Sequence, residues 1–187
     1  IQDGYTLKII REDIETSYKE KLSQIYENLE TLVQKKDIKK NYIIEHESYV
    51  KELLRYIITD LRQFRIIHGD DTLGGMVICE TSEQARKMYA YFDEIQNEIN
   101  HKASHQSNLK AGLILYDSED KETRKKIVTS FKKEMTVDVL IVFNMLLTGF
   151  DAPRLKRLYF GRKLKDHNLL QAITRVNRPY KDNRYGY

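Results

Sequence analysis

The 187-residue sequence predicts an α/β fold, in which helices cover both faces of a parallel sheet and a helical segment precedes it. Short runs that are apolar at nearly every position alternate with helices that are apolar on one face, which is typical of strands buried on both sides. A hydrophobic content of 41% and only two prolines exclude a disordered chain. We predict a helical lead-in over residues 1–70 and the sheet domain over residues 71–187.

Composition excludes several classes of protein. Cys79 is the single cysteine, so a disulfide framework and a cysteine-based zinc site are excluded, and a reducing compartment is expected. The longest apolar stretch, 137–147, is interrupted by Asp138 and Asn144 and is shorter than the roughly 20 residues that span a membrane. Because the chain begins at Ile1 without an initiator methionine or a signal sequence, we expect it to be a piece of a longer protein.

Two amphipathic helices are predicted before residue 70. Their apolar residues recur at spacings of three and four, which places them on one face of each helix. The first helix should end near the lysine-rich run 35–40, and the second at Gly69. The apolar residues are Ile14, Tyr18, Leu22, Ile25, Leu29 and Leu32 in the first helix, and Val50, Leu53, Leu54, Ile57, Ile58, Leu61 and Phe64 in the second.

Strands and helices alternate after Gly74-Gly75. The run 76–79 predicts a strand, and Thr81-Ser82-Glu83-Gln84 matches a capping box that opens a helix. Ligands of parallel sheets bind beyond the carboxyl ends of the strands, so the loops after Cys79, Phe143 and Phe160 are candidate sites. The helix face carries Ala85, Met88, Tyr89, Phe92 and Ile95; further strands are predicted at 113–116, 137–143 and 158–160, and helices around 127–131 and 169–176.

Basic residues concentrate at the C-terminal end. Residues 154–187 hold ten Lys or Arg against two Asp, a balance of +8, whereas the whole chain carries +4. This asymmetry points to a polyanionic ligand, either nucleic acid or a nucleotide phosphate, but a solvated basic rim without a ligand explains the composition about equally well. The ten are Arg154, Lys156, Arg157, Arg162, Lys163, Lys165, Arg175, Arg178, Lys181 and Arg184.

Two segments of the C-terminal half carry groups suited to phosphate chemistry. In the first, 144–153, Gly149 allows close backbone approach, Thr148 offers a hydroxyl and Asp151 a carboxylate, although Asp151 also suits a simple turn. In the second, 171–179, the spacing i, i+4 and i+7 places three polar side chains on one helix face: Gln171, Arg175 and Arg178. Guanidinium groups one turn apart suit a triphosphate whose charge grows in the transition state.

These segments resemble motifs of superfamily-two ATPases. The sequence QAITRVNR is similar to their sixth helicase motif, NMLLTGFDAP to their fifth, and GMVICETSEQA to the region of their fourth. In order and spacing, all three belong to the second RecA-like domain of such motors. The sequences LLTGFDAP and QAITRVNRPY are most similar to those of the restriction (R) subunit of type I restriction-modification enzymes, an ATP-driven DNA translocase joined to a nuclease. The resemblance covers residues 75–187.

The resemblance implies a role in nucleotide chemistry for five residues. Arg175 and Arg178 would be the arginine fingers that reach the γ-phosphate of ATP bound by the preceding RecA-like domain. Gln171 would orient these two arginines. Gly149 and Asp151 would contact the nucleotide from the fifth motif.

Three further residues would contact DNA if the resemblance holds. Thr148 would couple the nucleotide to the DNA backbone, and Thr81 and Ser82 would hold a DNA phosphate at a helix N-terminus. Simple helix capping is the alternative for Thr81 and Ser82. Thr148 stands where many helicases have an arginine, and Thr174 replaces the glycine of the sixth motif, which favours duplex translocation over strand separation.

The implied cofactors are ATP and Mg²⁺, and both would be bound mainly by a preceding domain. The sequence contains no GxxxxGK[ST] loop and no acidic run of the Walker B type, so we expect this chain alone to be inactive as an ATPase. No metal site is predicted within it. The implied partners are double-stranded DNA, the methylation and specificity subunits, and the preceding RecA-like domain, in the cytoplasm of a bacterium or archaeon.

Other interpretations remain open from the sequence. The chain could belong to another superfamily-two helicase or translocase, or to a free-standing α/β enzyme in which Asp151 is the candidate base. It could also be a non-catalytic docking module that binds partner subunits through the helices at 11–64. In the resembling family another strand follows this point, so we expect the residues after Pro179 to be poorly held and the sheet edge to favour self-association.

Overall fold

A computed structural model describes residues 16–36, 41–102, 108–116, 120–145, 150–161, 176 and 178–182. Three helices come first: α1 (Thr16–Lys36), α2 (Asn41–Glu45) and α3 (Glu47–His68). The remaining elements are β1 (Gly74–Ile78), α4 (Ser82–Lys102), β2 (Ala111–Ile114), α5 (Lys121–Thr129), β3 (Val139–Val142) and β4 (Leu155–Phe160). A π-helical turn over Ser130–Glu134 continues α5.

The four strands form one parallel sheet in the order β2-β3-β1-β4. Successive residues of β3 face opposite sides, as a strand requires. Val139 and Ile141 lie in an apolar cluster with α3 and α4, whereas Leu140 and Val142 lie in a second cluster with Phe131. Helical segments therefore cover both faces of the sheet, and the predicted α/β class is confirmed.

The helical lead-in is part of the packing around the sheet. The apolar residues predicted on one face of α3, from Val50 to Phe64, are at most 5% exposed and share one cluster with β1 and α4. Lys51 of α3 donates to Glu94 of α4 at 2.7 Å, and Arg55 pairs with Glu98 one turn further along. α3 is thus a cover of one sheet face, while the division of the chain at residue 70 stays a prediction.

Several element boundaries differ from the sequence prediction. The ends of α1 and α3 are as expected, and Gly69 caps α3 in the left-handed conformation with φ 59°. The short helix α2 was not predicted. Tyr89 was assigned to the buried face of α4 but is 47% exposed. β4 begins at Leu155, three residues earlier than predicted. The prediction missed its start because the strand contains charged residues, which are buried in the structure.

The predicted capping box at the start of α4 forms in a modified way. The backbone N–H of Gln84 donates to Thr81 Oγ1 at 3.0 Å, so Thr81 is the N-cap. The side chain of Gln84 accepts from the N–H of Glu80 at 2.8 Å rather than from Thr81, the partner that a capping box requires. Gln84 is fully buried, so this bond fixes the turn between β1 and α4.

The chain after Pro179 is held more firmly than expected. The hydroxyl of Tyr180 lies 2.9 Å from Thr72 Oγ1, and Lys181 Nζ pairs with Asp70 Oδ2 at 2.9 Å. The expectation of poor ordering is therefore wrong for Tyr180 and Lys181, because both residues find polar partners in the turn between α3 and β1. Residues 183–187 lie outside the described part of the chain.

Gly74 allows a close approach at the start of β1. A Cβ atom at this position would lie 2.5 Å from Cζ of Phe131, whose ring is fully buried. The ring of Phe131 also packs on Phe150, with 6.1 Å between the ring centroids. Any side chain at residue 74 would therefore displace an aromatic ring that lies at the centre of the second apolar cluster.

We predict that Gly74→Ala destabilises the chain by about 1 to 3 kcal/mol, because an added methyl group overpacks a filled core. Gly75→Ala is the matched control, since its Cβ would meet Tyr159 at 3.2 Å and needs a smaller adjustment. Urea unfolding of both variants measures the difference. Equal stability of the two variants would contradict the overpacking of Phe131.

Candidate functional site

Two of the predicted site residues, Asp151 and Arg178, lie side by side. Nε of Arg178 is 3.7 Å from Oδ1 of Asp151, and the side chains are 55% and 58% exposed, respectively. The structure thus brings together the segments that resemble the fifth and sixth motifs. The guanidinium is accessible to a ligand because more than half of the side chain is in solvent.

Buried neighbours hold both residues in place. Phe150 and Ala152 flank Asp151 and are 6% and 1% exposed, and Val176 precedes Arg178 by two residues and is 1% exposed. All three side chains belong to the apolar cluster on the α5 face of the sheet. The exposed pair is therefore presented by a packed surface rather than by an unsupported loop.

The pair lies close to the start of β4, not beyond a carboxyl end of the sheet as predicted for the loops after the strands. The connection after β3 runs back to the amino end of β4, and Asp151 lies four positions before Leu155. Nζ of Lys156, the second residue of β4, donates a hydrogen bond to the backbone carbonyl of Arg178. Because β3 and β4 are parallel, the chain must return to the amino end of the sheet to begin β4, and this explains why the pair lies there rather than at the carboxyl end.

Lys156 is fully buried, although its sequence context suggested a solvent-exposed cation. Burial penalises the charged ammonium and lowers the pKa of Lys156 from its ordinary value of 10.5 to about 8. The carbonyl of Arg178 provides a polar acceptor for this group. Lys156 therefore links β4 to the main chain of the accessible arginine.

Thr81 and Ser82 lie where β1 leads into α4, at the carboxyl end of the strand. Thr81 Oγ1 donates to Oε1 of Glu45 at 2.7 Å, while it accepts from the helix backbone. Nζ of Lys87 reaches the backbone oxygen of Glu45 at 2.9 Å, so the end of α2 is fixed against α4. The capping role of Thr81 is observed, and contact of Thr81 and Ser82 with a DNA phosphate stays a prediction.

Four other predicted site residues lie outside the described part of the chain: Thr148, Gly149, Gln171 and Arg175. Of the final predicted helix, only Val176 is described, and it is buried. The roles assigned to these residues stay predictions. Within the described ranges, His, Cys, Asp and Glu side chains form no group of three or more that could hold a metal ion.

Of the ten basic residues counted at the C-terminal end, five lie in the described part of the chain and three of those are buried, which corrects the interpretation of that charge as a ligand surface. Arg154, Lys156 and Arg157 are 1%, 0% and 7% exposed. Arg157 makes two bonds to Asp60, from Nε at 2.9 Å and from Nη2 at 2.5 Å. These cations serve the interior of the protein, and a polyanion would meet exposed ones such as Arg178.

Asp138 is the acid that neutralises buried cations at the amino ends of the strands. Its Oδ1 accepts from Nη2 of Arg65 at 2.6 Å and lies 3.6 Å from Nη2 of Arg154. Its Oδ2 accepts from the backbone N–H of Lys110 at 2.9 Å. Arg154 also donates to three carbonyl oxygens, those of Thr72, Phe131 and Val137. In the sequence, the only sign of this cluster was an acid that interrupts an apolar run.

The parallel sheet and the helices that cover both of its faces form a RecA-like α/β domain. The family model described as type I restriction enzyme subunit R domain 3 matches residues 76–187. A solved structure of the ATP-dependent type ISP restriction-modification enzyme LlaBIII bound to DNA is similar in fold, with a TM-score of 0.52 and 18% identity; the match covers 89% of this chain and 11% of that one.

Similar sequences carry consistent names. A Methanocaldococcus jannaschii protein named as the endonuclease subunit of type I restriction enzyme MjaVIIIP is 31% identical over 227 aligned positions, which cover 100% of this chain. The endonuclease subunit of type I restriction enzyme SsaAORF53P from Staphylococcus saprophyticus is 54% identical over 46 residues, 25% of this chain and 5% of that protein. The chain belongs to the family of type I restriction enzyme R subunits, and it spans 21% of the length of the first relative.

We predict that Asp138→Asn destabilises the chain by about 3 to 5 kcal/mol, because it removes the counter-charge of two buried guanidinium groups. The side chains of Arg65 and Arg154 are 6% and 2% exposed, so water cannot replace the lost carboxylate. Asp71→Asn is the control, since Asp71 is exposed. Chemical denaturation that shows similar small losses for the two variants would contradict a structural role of the Asp138 charge.

The buried Lys156 predicts a pH-dependent stability difference from Lys156→Met. Because the folded pKa of about 8 lies below the ordinary 10.5, the unfolded chain holds an extra proton between these values, and the native chain gains stability as pH rises through this window. We expect the Met variant to be at least as stable at pH 7, and its advantage to shrink by pH 10. Melting curves across this range provide the measurement, and a difference that stays constant would contradict a charged, desolvated ammonium at pH 7.

Proposed function

We propose that this chain is part of an ATP-dependent DNA translocase and endonuclease, and that Arg178 is an arginine finger in its ATPase cleft. The observation that supports the proposal is the accessible guanidinium of Arg178 beside Asp151, on a rigid surface of a RecA-like domain. Membership of the R-subunit family supports the nucleotide and DNA context. Arg175 and Gln171 would complete the finger, and Gly149 would contact the nucleotide with Asp151.

The chemistry follows from where charge develops during phosphoryl transfer. Negative charge spreads over the oxygens of the γ-phosphate in the transition state, and a guanidinium stabilises it with two or more N–H donors in a planar fork. Mg²⁺, when bound with ATP in the neighbouring domain, would neutralise the phosphate oxygens. The carboxylate of Asp151 holds the guanidinium near the cleft through a loose contact of 3.7 Å, from which Arg178 can turn toward a phosphate.

DNA contacts would come from other parts of the same domain. The start of α4 carries Thr81 and Ser82 at a helix N-terminus, where backbone N–H groups and the helix dipole favour a phosphate. Thr148 would couple these contacts to the nucleotide. Double-stranded DNA, the methylation and specificity subunits and the preceding RecA-like domain are the proposed partners. This chain without that preceding domain is proposed to be inactive as an ATPase.

The described structure also bears on a docking function of the helices and on location. The apolar face of α3 is buried against α4 and β1, so it is not available to a partner subunit. Among the described segments, every helix is too short or too polar to cross a membrane. The cytoplasm stays the predicted location.

In the full-length R subunit we predict that Arg178→Ala lowers ATP turnover about 1,000-fold or more, the amount that an arginine finger contributes. Arg175→Ala is expected to act in the same direction. Binding of duplex DNA without nucleotide should be unchanged, and Lys133→Ala is the control because Lys133 is an exposed cation outside the site. ATPase assays and DNA titrations over a range of salt concentrations provide the measurements.

A different outcome would assign the arginines differently. If both variants hydrolyse ATP at the normal rate but bind DNA more weakly and with a smaller salt dependence, the guanidinium groups contact the DNA backbone. If DNA does not bind and a small phosphorylated compound does, the interpretation as a free-standing enzyme is favoured instead.

A further inference from the structure

The main chain that carries Arg178 is attached to the rest of the domain at the carbonyl of Arg178 and again two and three residues later. In the first attachment, Nζ of Lys156 donates to the carbonyl of Arg178 itself. Lys156 lies in β4 and is fully buried, so its amine cannot exchange this hydrogen bond for one with water. The backbone of Arg178 is thereby tied to the sheet.

In the second attachment, Lys181 and Tyr180 hold the chain against the turn between α3 and β1. Nζ of Lys181 lies 2.9 Å from Oδ2 of Asp70, 3.0 Å from its Oδ1 and 2.7 Å from Thr72 Oγ1. Thr72 Oγ1 also lies 2.9 Å from the hydroxyl of Tyr180. These contacts lie two and three residues after Arg178, so little chain remains free between the attachment points.

The conformation of Lys181 indicates that this attachment is specific. Its φ is 49°, in the left-handed region that non-glycine residues rarely adopt. Such a conformation persists only where surrounding contacts outweigh its cost. Here the left-handed conformation of Lys181 accompanies the contact of its amine with Asp70.

The acceptor side of this contact is itself rigid. The side chain of Asp70 is 11% exposed, and its Oδ1 accepts from the N–H and the hydroxyl of Thr72 at 2.8 and 2.5 Å. Burial alone would raise the pKa of Asp70, but the Thr72 and Lys181 contacts hold it below the usual value, so the carboxylate stays charged. Nε of Arg154 donates to the carbonyl of Thr72 at 2.5 Å, which fixes the turn to the start of β4.

We propose that Lys156 and Asp70 are positioning residues for Arg178: they clamp the main chain at the Arg178 carbonyl and just after it, while the buried Val176 holds the chain before it, so that the guanidinium is presented to the nucleotide in one place. The proposal rests on the proposed role of Arg178. The exposed side chain of Arg178 has four rotatable bonds and, among the described residues, a loose contact with the Asp151 carboxylate, so a fixed backbone is needed to restrict where its tip reaches. The buried ammonium of Lys156 opposes folding, and its identified contact is with the segment that carries this arginine.

If Lys156 and Asp70 position Arg178, their replacement should change the kinetics in a way that a purely structural role would not. Loss of an interaction that is made only in the transition state lowers kcat without raising KM. Misplacement of a catalytic group by about 1 Å costs on the order of 100-fold in rate. We therefore expect Lys156→Met and Asp70→Asn, in the full-length R subunit with DNA, to lower the kcat of ATP hydrolysis by about 10- to 100-fold with a KM for ATP near the native value.

Matched variants distinguish an effect on the position of Arg178 from a general effect of charge and from a loss of stability. Lys133→Met and Asp71→Asn make the same changes at exposed residues outside the clamp and should leave kcat unchanged. Lys156→Met keeps the aliphatic stem and removes the buried charge, so its melting temperature should not fall. Lys181→Met removes the exposed partner of Asp70 without touching the core, and it should lower kcat in the same direction.

The outcomes distinguish this inference from the proposed function. Normal kcat in Lys156→Met, Asp70→Asn and Lys181→Met, together with a slow Arg178→Ala, would overturn the clamp and leave the arginine finger intact. A fall in activity that only matches a loss of folded protein would also overturn it, because the residues would then be structural. Normal ATP turnover in Arg178→Ala would overturn both proposals.

Discussion

The carboxylate of Asp138 holds together the amino ends of the strands. Asp138 precedes β3, and its oxygens receive a guanidinium from α3, the N–H that precedes β2 and a guanidinium that precedes β4. Arg65 in turn donates to the carbonyl of Leu73, which precedes β1. Because the cations are buried, their alternative to this carboxylate is an uncompensated charge in a medium of low polarity. The alignment of all four strands at this edge therefore depends on one acidic side chain.

The same cluster supports the surface on which Asp151 and Arg178 lie. Arg154 donates to the carbonyl of Phe131 at 2.7 Å, and its guanidinium lies 4.8 Å from the centre of the Phe131 ring. That ring contacts Phe150, the residue before Asp151. The electrostatic cluster, the aromatic packing and the exposed ion pair are thus consecutive layers of one structure, and the outer layer takes its position from the inner ones.

Local patterns were enough to predict most of the fold. The spacing of apolar residues identified α1, α3 and α4, and uniformly apolar runs identified strands covered on both faces. α2 has five residues, which is too few to show a period. Lys156 and Arg157 were counted with the basic residues that could meet a polyanion, because nothing near them in the sequence reveals their buried partners. Asp138 and Arg65 are separated by 73 residues, so only the folded chain brings them together.

The strand order has a consequence for how the chain acquires its structure. β1 is central, yet it pairs with Leu140 and Leu158 through Met76, so its neighbours follow it by 64 and 82 residues. Contacts between residues so far apart require the closure of long loops, which slows folding. α3 and α4 flank β1 in the sequence and already contact each other through Lys51 and Glu94. During synthesis, β1 is therefore flanked by two paired helices before its partner strands exist: one of its edges stays open until β3 has left the ribosome, and the other until β4 has.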